Sequence, residues 1–255
     1  MEIKRLFFGM QIGAPWPEEL APGRILLEED RHMTIAFLGD VDLEKIQGMV
    51  SSFPNPSFDL GIAGIFDRPL FLPDRTPRVA AWHVQFLEQK EEFLQFQRDL
   101  VSWLNINEKG EFMPHVTIAR SPFQISEWKN SFQKLPMYLK DIHLLESLGH
   151  SKYEIRWSFP ILAPFEEIEH TADIAFRVRG KTLAQIYLHA ELALSFHFPP
   201  FIRYFEEKEV RNHEEIVQAL NGSIARADAE QGCPFKAVSF HGEIKEGEWE
   251  MIVDV

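Results

Sequence analysis

Hydrophobic and polar positions in the first two thirds of the chain follow the two periods of regular secondary structure in turn. Residues 6–12 and 79–86 are short and largely apolar, a pattern typical of strands. Residues 88–104 instead place an apolar side chain every three or four positions behind an acidic first turn, which predicts a helix. By the same criteria we predict strands at 58–65, 112–119, 138–147 and 153–162, helices at 44–52 and 127–132, and a loop at 73–77.

Strand and helix recur twice in this part of the chain, which predicts an internally duplicated α+β domain over residues 1–163. Prolines at 160 and 164 mark its end, because proline continues neither element well. The pattern then restarts, which predicts a second, smaller α+β domain over residues 164–255. Its predicted elements are a strand at 173–178, a helix at 182–196 with Thr182 as N-cap, a helix at 214–226, and strands at 235–241 and 249–255.

Composition and charge narrow the class of protein. The 255 residues are 45% hydrophobic and 25% charged, as in soluble globular proteins, and no apolar run approaches the roughly 18 residues of a membrane span. The first residues lack the pattern of a secretory signal and Cys233 is the single cysteine, so we predict a cytoplasmic protein with no membrane partner. The net charge of −13 excludes a broad electrostatic footprint on long nucleic acid, so any RNA contact should be local.

A five-residue motif occurs twice, as HMTIA at 32–36 and HVTIA at 115–119. Residues i and i+2 of a strand share a face. We therefore expect the histidine and threonine of each copy to project together, and the two pairs to face each other across a groove if the two halves of the domain are pseudo-symmetric.

Two opposed imidazoles suit general acid–base catalysis near neutral pH. One would accept a proton from an attacking water, and the other would donate a proton to the leaving oxygen. The hydroxyls of Thr34 and Thr117 could donate hydrogen bonds to a phosphoryl oxygen, where negative charge develops. The sequence does not decide whether His32 or His115 is the base.

A structural role and a metal site are the two rivals to catalysis for this motif. A single His-x-Thr on a strand is usually a half-buried histidine beside a small polar residue, but the matched repeat in matched contexts argues against this. A metal site is the sharper rival, because histidine is a common ligand. No carboxylate or cysteine lies at ligand spacing near either copy, so we favour catalysis with no metal or other cofactor.

The residues around the two motifs resemble the 2H phosphoesterases, most closely the RNA 2′,3′-cyclic phosphodiesterase (2′-5′ RNA ligase) branch. The similarity covers about residues 1–162 and rests on RLFF at 5–8, HMTIAFLG at 32–39, PRVAAW at 77–82, PHVTIAR at 114–120 and LES at 145–147. This resemblance implies a bilobal, pseudo-symmetric fold with a central groove and hydrolysis of a 2′,3′-cyclic phosphate to a 2′-phosphate. The catalytic residues that it implies are His32, Thr34, His115 and Thr117.

Arg31 and Arg120 flank the two motifs and are candidate substrate-binding residues. Each would lie on the face opposite its neighbouring histidine in a regular strand, or at the strand end, where it could bend back. A phosphate contact and a plain surface charge are therefore both open. We interpret His83, His143 and His150 as structural, because no partner motif surrounds them.

Two acidic residues lie at predicted strand ends in the second domain. Asp173 and Asp254, with the terminal carboxylate of Val255, could hold a hard cation such as Ca²⁺ or Mg²⁺, although plain exposed aspartates are more common. Residues 165–194 and 234–255 resemble archease, the small protein that assists the GTP-dependent tRNA-splicing RNA ligase. That resemblance places the metal-binding acidic positions of archease on Asp173 and Asp254. The segment between them is shorter than in archease and is not recognisably similar.

The sequence therefore predicts an RNA 2′,3′-cyclic phosphodiesterase fused to an archease-like domain that assists RNA ligation or tRNA splicing. Its expected partners are RNA ends with cyclic phosphates and the GTP-dependent ligase. One alternative is a 2H enzyme acting on 2′-5′-linked oligonucleotides or on small cyclic phosphates such as ADP-ribose 1″,2″-cyclic phosphate. The other alternative is a non-catalytic accessory factor of an RNA ligase, whose His-x-Thr pairs only bind RNA ends.

Overall fold

The computed structural model describes residues 2–107, 110–171, 173–239 and 243–255. These residues form two antiparallel sheets with helices packed against them. The strands of the first sheet are β1 (Ile3–Gly13), β2 (Arg24–Ile25), β3 (His32–Asp42), β4 (Ile62–Leu72), β5 (Val79–Phe86), β6 (His115–Arg120), β7 (Leu135–Gly149) and β8 (Lys152–Phe159). The helices of this part are α1 (Leu43–Met49), α2 (Lys90–Leu104) and α3 (Ile125–Ser131), and short 3₁₀ turns lie at Glu28–Asp30 and Val50–Ser52.

The first sheet closes on itself and has two sides. Its strands follow the order β1-β3-β6-β5-β4-β7-β8, and β1 also pairs with β7. One side holds β1, β3, β7 and β8, and the other holds β4, β5 and β6 with the short β2 paired to β6. The sides meet where β4 pairs with the start of β7 and where β3 pairs with β6. Among the described residues the β3–β6 ladder contains one register pair, Met33 with Val116.

The apolar core explains why these segments fold as they do. Met33 and Val116 are fully buried, which confirms the predicted inward face of each motif strand. Helix α2 buries Phe93, Phe96 and Leu100, the three- and four-residue spacing that predicts a helix. Burial of such side chains supplies most of the favourable free energy of folding.

The second sheet is smaller, and its first strand begins a few residues after the last strand of the first sheet ends. Its strands are β9 (Phe165–Ile168), β10 (Ile174–Arg179), β11 (Ala237–Val238) and β12 (Glu248–Asp254), in the order β11-β12-β10-β9. Its helices are α4 (Leu183–His197) and α5 (His213–Gln231), with a 3₁₀ turn at Pro199–Tyr204 between them. The predicted domain boundary at 163/164 falls between the last strand of the first sheet and the first strand of the second.

The side chain of Thr182 caps helix α4 by accepting a hydrogen bond from the Gln185 amide at 3.1 Å, as the sequence predicts. The helix then packs between the two sheets, because it touches β10 on one side and β4 and β7 on the other. Consequently it is buried nearly all round, including the polar His189 and Glu191.

A buried polar network joins the two sheets. The carboxylate of Glu88 accepts hydrogen bonds from the Ala63 amide at 3.0 Å, the Gln185 side chain at 2.9 Å and His189 Nε2 at 2.7 Å. His189 Nδ1 donates to the carbonyl of Arg179. Burial alone would raise the pKa of Glu88, but the hydrogen bond and charge of His189, with the hydrogen bonds from Ala63 and Gln185, hold that pKa below its ordinary value.

Some predicted elements differ in extent. The strand predicted at 58–65 begins at Ile62 and runs to Leu72, because its ladder with β5 continues to the pair Leu72–Val79. The strand predicted at 112–119 begins only at His115. Of the strand predicted at 235–241 only Ala237–Val238 pairs, and residues 240 and 241 lie outside the described residues. No helix among the described residues is long and apolar enough to span a membrane.

Candidate active site

The two motifs meet on one face of the sheet. Met33 pairs with Val116 in an antiparallel ladder, and continuing this register by one residue on each side sets His32 opposite Thr117 and Thr34 opposite His115. Met33 and Val116 point into the core, so their neighbours in sequence point to the opposite side. We call this side the motif face, and define it by His32, Thr34, His115 and Thr117. All four side chains are partly exposed on it.

Both imidazoles are held in the same orientation by the same local hydrogen bond. Nδ1 of His32 lies 2.8 Å from the carbonyl of Asp30, and Nδ1 of His115 lies 2.8 Å from the carbonyl of Met113. A carbonyl only accepts, so each Nδ1 carries a hydrogen and donates it. In each ring Nε2 is therefore the nitrogen left to exchange a proton with a substrate or a water.

Aromatic rings enclose His32. The Phe7 ring stacks on it with centroids 4.8 Å apart, and Tyr153 meets it edge-on at 4.6 Å. Burial lowers the pKa of His32 to about 4, the charges of Arg120 and of His115 add to this shift, and the Asp30 carbonyl opposes it. His32 is therefore neutral at pH 7, the form that a general base requires.

A glycine on the neighbouring strand gives His32 its room. Gly9 on β1 pairs with Thr34, and a β-carbon on Gly9 would lie 3.3 Å from Cδ2 of His32 and 3.2 Å from the Met33 carbonyl. Both distances are shorter than ordinary van der Waals contacts, and the Met33 carbonyl belongs to the backbone. Gly9 thus lets the imidazole lie against β1.

Two further histidines lie in a row with His115 and Gly9 across the neighbouring strands, although the sequence alone suggests structural roles for them. His83 on β5 pairs with His115, and its Nδ1 lies 2.6 Å from Oδ1 of Asp67. His143 on β7 pairs with Gly9, its Nδ1 lies 2.8 Å from the Ser158 hydroxyl, and burial lowers its pKa. This row exists because of the order of the strands in the sheet. The sequence alone indicates on which face of its own strand each histidine lies, but not which residues of other strands lie beside it.

The two flanking arginines have different surroundings. In β6 the register with β5 shifts between the pairs Ala81–Thr117 and Ala80–Ala119, so one extra residue lies in β6. This bulge reverses the parity of the strand and turns Arg120 to the motif face, where its charge acts on His32. Of the two placements that the sequence leaves open for Arg120, the opposite face of a regular strand is wrong for this reason, and Arg120 is the last residue of β6.

Arg31 lies on the core side instead. It is 6% exposed, its guanidinium carbon lies 4.5 Å from the centre of the Trp16 ring, and its Nε donates to the Leu26 carbonyl at 3.2 Å. Trp16 itself packs on the buried ring of Trp82. The structure therefore does not bring Arg31 together with the motif residues.

The acidic positions of the second sheet lie at one strand end. The pair Ile174–Val253 sets Asp173 opposite Asp254 if the register continues by one residue. Asp173 lies 3.7 Å from Nδ1 of His170, and the Lys236 ammonium donates to the main-chain oxygen of Val255. The part of the chain that the structure describes contains no group of three or more His, Cys, Asp or Glu residues that could hold a metal ion.

Comparison with known proteins gives one similarity in sequence. The N-terminal part of the chain is similar to an RNA 2′,3′-cyclic phosphodiesterase. This protein, from Thermotoga maritima, is 28% identical over 115 residues, which make up 42% of this chain and 59% of that relative. The similarity supports a relationship of the N-terminal part to the 2H phosphoesterases. No family model matches the chain.

Solved structures give matches at lower similarity. Escherichia coli LigT complexed with phosphate is 19% identical, with a TM-score of 0.43, and the alignment covers 64% of this chain and 99% of LigT. TT0787 of Thermus thermophilus is 17% identical with a TM-score of 0.46, covering 62% of this chain and 98% of that protein. At this level of similarity neither match bears on the chemistry of the site.

Proposed function

We propose that the N-terminal part of the chain hydrolyses 2′,3′-cyclic phosphates at RNA ends to 2′-phosphates, with His32 as general base and His115 as general acid. The observation that carries this proposal is the pairing of Met33 on β3 with Val116 on β6, which brings the two motifs side by side on one face of the sheet. The name of the Thermotoga maritima relative supports the substrate class.

The proposed reaction is a displacement at phosphorus. Nε2 of His32 takes a proton from a water as the water oxygen attacks the phosphorus, and the bond from phosphorus to the 3′ oxygen breaks. Nε2–H of His115 gives its proton to that 3′ oxygen, which leaves as a hydroxyl. The product keeps the phosphate on the 2′ oxygen. The low pKa of His32 favours it as base, because it is unprotonated across the neutral range.

The threonines have a separate role in this scheme. If the Met33–Val116 register continues by one residue on each side, Thr34 lies opposite His115 and Thr117 opposite His32, which would place one hydroxyl near each imidazole. We assign both as donors to the non-bridging phosphoryl oxygens, whose negative charge increases in the transition state. Loss of one such preorganised donor typically costs about 10²–10³ in kcat.

Identification of the product tests the proposal. The full chain is incubated with an RNA oligonucleotide that ends in a 2′,3′-cyclic phosphate, with EDTA present, because proton transfer by imidazoles needs no metal. We expect a 2′-phosphate product, which resists a 3′-specific phosphatase. A 3′-phosphate product, or no turnover, would refute the proposal. When His32→Ala and His115→Ala are assayed in the same way, His197→Ala is the matched control, because it removes an exposed histidine of α4.

The acidic surface favours a second candidate, a small cyclic phosphate, because a net charge of −13 repels long RNA. Parallel reactions with ADP-ribose 1″,2″-cyclic phosphate and with 2′-5′-linked oligonucleotides separate these from the leading substrate by kcat/KM. A non-catalytic accessory role predicts that no substrate is turned over while stimulation of an RNA ligase is retained.

For the second part of the chain we propose, from its resemblance to archease, a role in assisting an RNA ligase. Among the described residues Asp173 and Asp254 belong to no group of three or more His, Cys, Asp or Glu side chains that could hold a metal ion, and the Lys236 ammonium donates to the main-chain oxygen of Val255. The predicted Ca²⁺ or Mg²⁺ site therefore stays a prediction. If it exists, millimolar Ca²⁺ should raise the melting temperature and Asp254→Ala should abolish that rise.

A further inference from the structure

A pocket of about 310 Å³ opens beside His32. The ring of Tyr153 forms part of its wall and meets His32 on its edge, with ring centroids 4.6 Å apart. The pocket thus adjoins the motif face at Tyr153 and at Arg120. The residues that line the pocket are Arg5, Arg24, Arg120, Ser147, Gly149, His150, Ser151 and Tyr153.

Three guanidinium groups converge on this pocket from three different strands. Arg24 and Arg120 are register partners between β2 and β6, and Arg5 comes from β1. None of the three forms an ion pair with a carboxylate in the part of the chain that the structure describes. Like charges directly opposite each other on a ladder are destabilising. In a chain of net charge −13, such an unneutralised group is suited to an anionic ligand.

Two of the arginines are held in place. Nε of Arg120 donates to the hydroxyl of Ser151 at 2.8 Å, and the guanidinium carbon of Arg5 lies 5.0 Å from the centre of the Phe37 ring. These contacts fix each guanidinium without neutralising it. Their remaining N–H groups stay available to phosphate oxygens, which guanidinium binds in a bidentate manner.

The hairpin turn at the edge of the pocket has an unusual conformation for its sequence. Between β7 and β8, His150 and Ser151 both have positive φ, 52° and 62°. Two-residue hairpin turns with this geometry normally use Asn-Gly, because a β-carbon is strained there. Strained residues persist where the surrounding structure or a function maintains them. Here the turn presents an imidazole and a hydroxyl beside the arginines.

We propose that this pocket binds a second phosphate of the substrate, the internucleotide phosphate that precedes the nucleotide carrying the cyclic phosphate. The inference rests on the proposed function, because it takes the motif face as the place where the cyclic phosphate reacts. It makes the preferred substrate an RNA end of at least two nucleotides. The acidic remainder of the protein agrees with a contact this local.

The test compares substrates that differ in the charge of the second phosphate. We would measure kcat/KM for three substrates: a nucleoside 2′,3′-cyclic phosphate, a dinucleotide with the same end, and that dinucleotide with an uncharged methylphosphonate linkage. The wild-type protein should prefer the charged dinucleotide over the uncharged one by about tenfold or more. In Arg24→Ala this ratio should fall to about one. Arg75→Ala, which removes an exposed loop arginine and the same charge, should keep the wild-type ratio.

The outcomes separate this inference from the proposed function. Turnover of no cyclic phosphate by the wild-type protein would refute the proposed function. Turnover with equal kcat/KM for the charged and uncharged dinucleotides, or a ratio unchanged by Arg24→Ala, would refute the second-phosphate site alone. ADP-ribose 1″,2″-cyclic phosphate supplies its additional phosphates as a pyrophosphate. A higher kcat/KM for it than for the charged dinucleotide would overturn the RNA assignment of the pocket.

Discussion

At the scale of single residues, the surroundings of His32 decide its chemistry. The Phe7 and Tyr153 rings pack against the imidazole and remove much of it from water, while the Asp30 carbonyl fixes its tautomer. An imidazolium is costly in such a place, so the pKa of His32 falls to about 4. The sequence predicts the histidine and its partner threonine, but the enclosing rings come from segments far apart in the chain.

The pH dependence of catalysis follows from this shift. A base must be unprotonated, so the acidic limb of kcat/KM should lie near pH 4. A limb near pH 6.5, the ordinary value for histidine, would contradict the role of His32 as base. Protonation of His32 also affects stability. The unfolded chain takes up this proton at a higher pH than the folded chain, so the free energy of unfolding falls by on the order of 3 kcal/mol as the pH falls from 6.5 to 4.

Gly9→Ala tests the packing of the imidazole. The added β-carbon would lie within 3.3 Å of His32 and of the Met33 backbone, so the ring must shift. We expect kcat to fall about 10- to 100-fold, the usual consequence of a small misplacement of a catalytic group. Gly48→Ala in α1 is the control, since its β-carbon would meet nothing within 4 Å. Equal kcat values for the two variants would show that the position of His32 does not depend on Gly9.

At the scale of elements, strand register and helix burial set the geometry. The bulge in β6 turns Arg120 to the motif face, and α4 fills the space between the sheets. The network around Glu88 fastens α4 to the first sheet, because His189 is fully buried and relies on this carboxylate.

Glu88→Ala should therefore destabilise the whole chain. It leaves the His189 imidazole and the Ala63 amide without their acceptor, a loss of about 3–5 kcal/mol for a buried pair. Urea unfolding measures the change. Glu91→Ala, an exposed carboxylate in the first turn of α2, should change the free energy of unfolding by about 0.5 kcal/mol or less. A small effect of Glu88→Ala would show that the network is dispensable.

Local patterns predict elements better than they predict how elements meet. Strand β5 is predicted to its end residues, and the cap at Thr182 fixes the start of α4. The order of the strands, the bulge in β6 and the short β9 are not predicted, because each depends on contacts between distant segments. For the same reason the sequence marks both His-x-Thr pairs but not the row that adds His83 and His143.

At the scale of the whole molecule, two imidazoles from two strands are expected to act as one unit on one phosphorus atom. The closed strand order brings the two motifs together, and on the proposed function the net charge of −13 would confine RNA contacts to a small region around them. Residues that act as a unit in catalysis show non-additive losses when they are replaced.

The most direct measurement is the turnover of an RNA 2′,3′-cyclic phosphate end by His32→Ala, His115→Ala and the double variant, with unchanged folding verified by circular dichroism. We expect each single replacement to lower kcat by about 10²–10⁴-fold, and the double variant to lose little more than the worse single one. A loss of less than tenfold in either single variant would contradict the account.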